Sequence, residues 1–152
     1  MVEQYPHWQY VRHSEPATRN PENGDFIPGS TRWTFHARCR EETNGKGEEI
    51  HTADQRTYRF TALVQLPKGT PRIVEGTTVL VADRQLSTDD LEIIWIALHD
   101  TDGAALTDGQ RRQLMVYTHG SEPSPQFMRD IVRITGDCAK FDKGQLHCRL
   151  WL

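Results

Sequence analysis

The chain has 152 residues and a formal charge of −3, from 18 basic and 21 acidic side chains. That length fits one domain, and the balance excludes a strongly basic protein that coats nucleic acid. Hydrophobic residues make up 36%, and even with the 11 glycines the apolar share stays just below the ~45–50% usual for soluble domains.

The longest apolar run, residues 93–98, is too short to span a bilayer. The opening MVEQYPHWQY lacks the basic start, apolar middle and small-residue cleavage site of a secretory signal. Three cysteines without framework spacing argue against a disulfide scaffold. A soluble, cytosolic-type protein with no membrane segment is expected.

The first block, His7 to His13, alternates with Trp8 and Tyr10 on one face and is predicted as a strand. Residues 14–30 hold Pro16, Pro21, Gly24, Pro28 and Gly29 and are predicted as a long irregular loop. Arg32 to Arg40 is the cleanest alternating strand. Trp33, Phe35, Ala37 and Cys39 are expected to point inward, with Arg32, Thr34, His36, Arg38 and Arg40 outward. A second polar loop is expected over 41–54, with turn signals at Asn44-Gly45 and Lys46-Gly47.

Thr57 to Leu66 forms the next predicted strand. Tyr58, Phe60, Ala62, Val64 and Leu66 share one face, and Arg59 lies opposite. A tight turn at Glu75-Gly76 aims a strand over residues 77–83 back at the sheet.

Residues 87–128 change character. Leu91, Ile94, Trp95 and Leu98 have helical spacing, yet residues 93–96 are β-rich, so helix and strand both stay open there. The turn expected to end that segment is Asp100-Thr101-Asp102-Gly103. It fails as a calcium loop because Arg111 stands where the twelfth-position Glu belongs. A second helix is expected from Thr107-Asp108, and Ser124-Pro125 suits the opening of a short helical turn.

Strands return over 131–152. Asp142-Lys143-Gly144 is the expected hairpin turn, with Gly144 supplying a positive φ. Leu146, Cys148, Leu150 and Leu152 are placed on one inward face. The whole reads as one mainly β domain over 1–152, a small antiparallel barrel or sandwich with a mixed, partly helical insertion and long loops.

The residue patterns supply no enzyme constellation. Serines lie in turn clusters, and no nucleophile elbow or phosphate-binding glycine loop occurs. His36 and Cys39 point to opposite faces of a strand, as do His147 and Cys148, and no C-x₂-C pair exists. Neither a metal nor a cofactor is expected. A cationic strand face, Arg32, His36, Arg38 and Arg40 with Arg59 beside it, lies close to Glu41 and Glu42. It reads as a solvated or subunit-contact face, since its aromatics point away from the arginines.

The layout resembles the head–tail connector proteins of tailed phages, of the stopper or adaptor type. The matching segments are Trp33 through Glu41, Tyr58 through Leu66, and the I-x-x-G-x-x-V-x-V run from Ile73 to Val81. The closing hairpin Ile131 through Leu152 completes them. The C-terminal run GDCAKFDKGQLHCRLWL is similar to small proteins of prophage structural modules. Residues 87–128 have no counterpart in that pattern.

The resemblance implies a small β-barrel subunit in a homo-oligomeric ring of the virion neck, assembled in the host cytoplasm. Its partners would be portal or adaptor and tail proteins, with phage DNA passing through unread. The loops 14–30 and 41–54 would reach neighbouring subunits. Arg32, His36, Arg38, Arg40, Glu41, Glu42 and Arg59 would be the subunit-interface residues. The alternative is a stand-alone barrel that binds an oligonucleotide or carbohydrate through exposed aromatics such as Trp8, Trp95 or Trp151.

Overall fold

A computed structural model describes residues 3–52, 54–100 and 104–152. In chain order it holds β1 (His7–Glu15), β2 (Thr18–Arg19), β3 (Phe26–Ile27), β4 (Ser30–Thr43), β5 (Glu49–His51), β6 (Thr57–Arg59), β7 (Ala62–Pro67) and β8 (Thr78–Ala82). Three helices follow, α1 (Leu91–His99), α2 (Asp108–Leu114) and α3 (Pro125–Met128). The chain closes with β9 (Val132–Asp137), β10 (Lys140–Lys143) and β11 (His147–Trp151). The expected turn at residues 101–103 lies outside the described residues.

Seven strands form one antiparallel sheet in the order β10-β11-β7-β4-β1-β8-β9. The ends of that order, β9 and β10, do not pair, so the architecture is sandwich-like and not a closed barrel. The long β4 belongs to both halves, pairing with β1 through its first ten residues and with β7 through its last four. Opposite it, a two-residue corner joins β9 to β10. There the Cys138 N–H donates to Thr77 O (2.9 Å) and the Ala139 N–H to Trp151 O (2.8 Å).

Two cores result. Inside the fold, Val11, Cys39, Val64, Leu66, Val79, Val81, Cys148 and Leu150 pack together. On the outer face of β1, β4 and β8 a second cluster joins Tyr10, Trp33, Leu80 and Ala82 to Leu91, Ile94, Ala97, Leu114 and Met128 of the helical segment. β8 is therefore buried on both faces, which explains its run of apolar residues. The segment 87–128 is the layer that covers this half of the sheet.

The helical option holds over residues 91–99. Its N-cap Asp90 makes no capping bond from its side chain. Thr107 caps α2 with a complete capping box, its hydroxyl accepting from the Gln110 N–H and the Gln110 side chain accepting from the Thr107 N–H. This offsets the unfavourable Gly109. Ser124 and Pro125 open α3 as the spacing predicts.

Three local expectations are corrected. Residues 57–66 are two strands, β6 and β7, broken at Phe60-Thr61. Leu146 is exposed in the last turn, whereas Cys148, Leu150 and Leu152 are buried. Gly144 does not have a positive φ. Glycine is needed there because a Cβ would lie 2.5 Å from the His147 carbonyl oxygen.

Candidate functional site: two arms and an aromatic groove

Residues 14–30 are not an irregular loop. The register of Tyr10↔Phe35 continues unchanged through Glu15↔Ser30 and reappears at Thr18↔Ile27. β1–β2 and β3–β4 therefore make one long hairpin, interrupted where Pro16 and Pro28 remove ladder donors. Gly29 permits the close pass at that interruption, since a Cβ there would sit 2.5 Å from Glu15 O. At the far end the Asn20 N–H donates to Asp25 O (2.8 Å) and closes the turn. Phe26 and Ile27 stand exposed on this arm, Phe26 at 69%.

The 41–54 segment behaves similarly. β4 runs on to Thr43, and β5 and β6 then form a second small hairpin. Asn44 holds its base: the side-chain amide donates to Glu48 O (2.9 Å) and Phe60 O (2.8 Å), and its oxygen accepts from the Glu48 N–H. The arms spring from opposite ends of β4, whose 14 residues span about 45 Å.

A bulge in the middle of β4 shapes the third feature. Gln9 pairs with Ala37 but Tyr10 with Phe35, so His36 is the extra residue. The alternation changes face at that point. Ala37 and Cys39 turn into the inner core, whereas Trp33 and Phe35 turn outward to the helical side. Trp33 is covered by α1, but Phe35 lies beyond the helices and stays 49% exposed. This corrects the expectation of one inward face from Trp33 to Cys39.

Phe35 lines an open groove of about 520 Å³ with Trp8, Tyr10, Arg38, Leu86 and Thr88. Tyr10 anchors its floor, donating from its hydroxyl to Leu86 O (3.2 Å) and accepting from the Leu86 N–H (2.8 Å). Phe35 meets the Tyr10 ring edge-on at 5.7 Å. The Arg38 guanidinium stacks 3.9 Å from the centre of the Trp8 ring and pairs with Glu3 at 2.6 Å.

The bulge also divides the cationic face expected on β4. Arg38 pairs across from Trp8 on the outer face, whereas Arg32 pairs across from His13 on the opposite one. Arg32 instead lines a polar groove of about 640 Å³ with Arg12, His13, Glu75 and Thr78. Arg40 donates to the carbonyls of Glu3 and Gln4 and ties down the N-terminal segment. His36 bonds Pro71 O at 2.9 Å, and burial lowers its pKa. Glu42 accepts from Gln65 (3.2 Å). Arg59 lies on the second arm, 3.5 Å from Glu49, away from the other arginines.

Glu41 is buried and binds Arg133, whose Nε and Nη2 lie 3.0 and 2.9 Å from its carboxylate. Arg133 also pairs with Asp83 at 3.1 Å. His7, 3.7 Å from Asp83, has its pKa lowered first by burial and then by Arg133. This cluster ties β1, β4 and β9 to Asp83, the residue that follows β8, and is structural.

Among the described residues no group of three or more His, Cys, Asp or Glu side chains is placed to hold a metal ion. No helix among them is long and apolar enough to cross a membrane. Phe26, Ile27 and Phe35 were not singled out by the sequence pattern as exposed contact residues. The usable signal was an apolar pair, Phe26-Ile27, inside an otherwise polar breaker-rich stretch.

Fold and site together define a sandwich-like β-protein with two projecting hairpin arms and one aromatic groove. No protein-family model matches the chain, and no curated protein or solved structure matches it.

Proposed function

We propose that this protein is a structural virion protein of a tailed-phage neck, a ring subunit that joins the portal to the tail and lets DNA pass. The observation that carries the reading is the pair of exposed hairpin arms at opposite ends of β4. A two-stranded ribbon is marginally stable alone and gains most from a neighbouring surface. Arms pointing both ways from one strand suit a subunit with a neighbour on each side, the heterologous contact that closes into a ring. A net charge of −3 suits a channel that does not grip passing phosphates.

The partners on this reading are further copies of the chain, a portal or adaptor ring and tail proteins, and the site of action is the virion. Arg32, Glu42 and Arg59 are the exposed charged residues on this reading that meet a neighbour, although Glu42 also holds Gln65 and Arg59 also pairs with Glu49, whereas Glu41 is committed internally. Native mass spectrometry and electron microscopy test the reading on the full chain, alone and with a tailed-phage portal ring. Rings are expected. A chain that stays monomeric in both conditions, and is missing from virions, overturns it.

The Trp8–Phe35 groove favours a second reading, a stand-alone module for an oligonucleotide or carbohydrate. Salt-dependent binding of single strands by the isolated monomer would establish that one instead.

A further inference from the structure

We propose that the His7 imidazole is a pH-sensitive latch, fastening the start of β1 to β4 only while its Nδ1 is unprotonated. The inference goes beyond the ring reading and does not rest on it. β1 begins at His7, paired with Cys39, and β4 runs on past that pair to join β7 from Arg40. The Glu41 N–H, one step beyond Cys39 on the same side of β4, has no carbonyl of β1 to meet. It donates to His7 Nδ1 instead (3.1 Å). A backbone N–H only donates, so Nδ1 carries a lone pair. The ring proton then sits on Nε2, which faces Asp83 Oδ1 at 3.7 Å.

The surroundings oppose a second proton. Arg133 of β9 occupies both nearby carboxylates, Glu41 at 2.9 Å and Asp83 at 3.1 Å. The other Glu41 oxygen accepts from the Thr43 hydroxyl (3.1 Å). On β4, Arg40 is a further cation near the ring, Arg38 donates through Nε to the His7 carbonyl (3.3 Å), and the Cys39 thiol is neutral. Among the described residues Nδ1 meets only the Glu41 N–H, so a proton placed there points at another donor. Two N–H groups would lack an acceptor, and the ring must swing away from β4.

Burial first, and then Arg133, lowers the His7 pKa from 6.5, with Arg40 adding and Asp83 and Glu41 opposing. A histidine depressed on folding contributes stability that is complete above its unfolded pKa and is lost as pH falls through the folded value. The latch is therefore closed at neutral pH and opens in acid. Beyond it, residues 3–6 are held to the sheet by side chains. Arg38 bonds Glu3, Arg40 bonds the Glu3 and Gln4 carbonyls, and Tyr5 bonds His147. The segment loosens where it enters the sheet when His7 lets go.

NMR of the imidazole nitrogens in the full-length chain, from about pH 8 to about pH 4.5, reads the tautomer and titration of His7. Hydrogen exchange over the same range reads the Glu41 amide. The Nε2–H tautomer is expected in the neutral ring, with a midpoint below 6.5. Glu41 protection, corrected for the intrinsic rate, should fall roughly tenfold or more with that same midpoint. His7→Gln supplies an acceptor that does not titrate and should remove the pH step at Glu41.

An Nδ1–H tautomer in the neutral ring, a midpoint at or above 6.5, or Glu41 protection that does not follow His7 overturns the proposal. A step that persists in His7→Gln overturns it as well. The wild-type measurements decide the matter alone where that variant does not fold. None of them reads assembly, so their failure leaves the ring reading standing.

Discussion

Glu92 is where the helical layer is fastened to the sheet, and Glu92→Gln tests how strongly. Its carboxylate accepts from Arg12 Nε (3.1 Å) and Nη2 (2.9 Å) on β1 and from the Trp33 indole N–H (2.6 Å) on β4. The Arg12 guanidinium also lies 4.6 Å from the centre of the Trp95 ring on α1. Glutamine keeps one acceptor oxygen for Trp33 but loses the charge and the two-point grip on Arg12. Hydrogen bonds to charged groups contribute about 1.5–3 kcal/mol, and exposed ion pairs only about 0–1 kcal/mol. With side-chain exposures of 22% for Arg12 and 31% for Glu92, the pair lies between these limits. A loss of about 1–2 kcal/mol is expected, roughly 3–6 °C in Tm for a chain of this size.

The pH dependence separates this cause from a packing defect. The Arg12 hydrogen bonds hold the Glu92 carboxyl below the usual glutamate range, with burial opposing and Trp33 adding. A carboxyl depressed on folding contributes stability that is present above its unfolded pKa of about 4.3 and is lost as pH falls through the folded value. Urea titrations followed by tryptophan fluorescence should therefore show wild type and Glu92→Gln diverging fully at pH 7 and converging below about pH 4. Equal stability at pH 7, or a gap that persists undiminished in acid, would refute the reasoning.

The other perturbations act on the interior. Gln9 is fully buried, shares the inner face with Val11 between Ala37 and Val81, and its amide atoms find no hydrogen-bond partner among the described residues. Gln9→Met should raise unfolding free energy by about 1 kcal/mol in urea titrations. Arg133→Met leaves the Glu41 carboxylate buried without its cation. Calorimetry should show a cost of about 2–3 kcal/mol, greater than that of Glu41→Gln. Burial pushes the Cys39 thiol up to about 12 and the Cys138 thiol up to about 11. A thiol-reactive dye at pH 8 should leave the native chain unlabelled and react with three cysteines only after unfolding.

The sequence made the strand blocks legible because one face of each is apolar and the other polar. Val64, Leu66, Cys148 and Leu150 sit where period-2 spacing puts them. The α2 and α3 starts were legible too, since Thr107 and Ser124 act through local capping chemistry. What alternation alone does not carry is register. The bulge at His36 exists only as a mismatch between β1 and β4, so the exposure of Phe35 and the parting of Arg32 from Arg38 had no one-dimensional signal. Arg59 misled for the same reason, because its neighbour is β5 and not β4.

The low apolar content takes its meaning from where the polar residues lie. Residues 14–30 and 44–59 include two hairpins that continue the ladders of β4, and the first keeps the register of the strands it extends. An irregular loop needs no such register. A ribbon does, and it leaves its apolar residues uncovered unless something packs on them. Phe26 and Ile27 are exposed on an arm that holds its pairing past two prolines, and Phe35 is exposed because one inserted residue turns it outward. The bulge that turns Phe35 outward also sets Trp33 in the outer cluster and Cys39 in the inner one. The arm that carries Phe26 and Ile27, by contrast, packs into neither core, so its ordered register is not set by core burial.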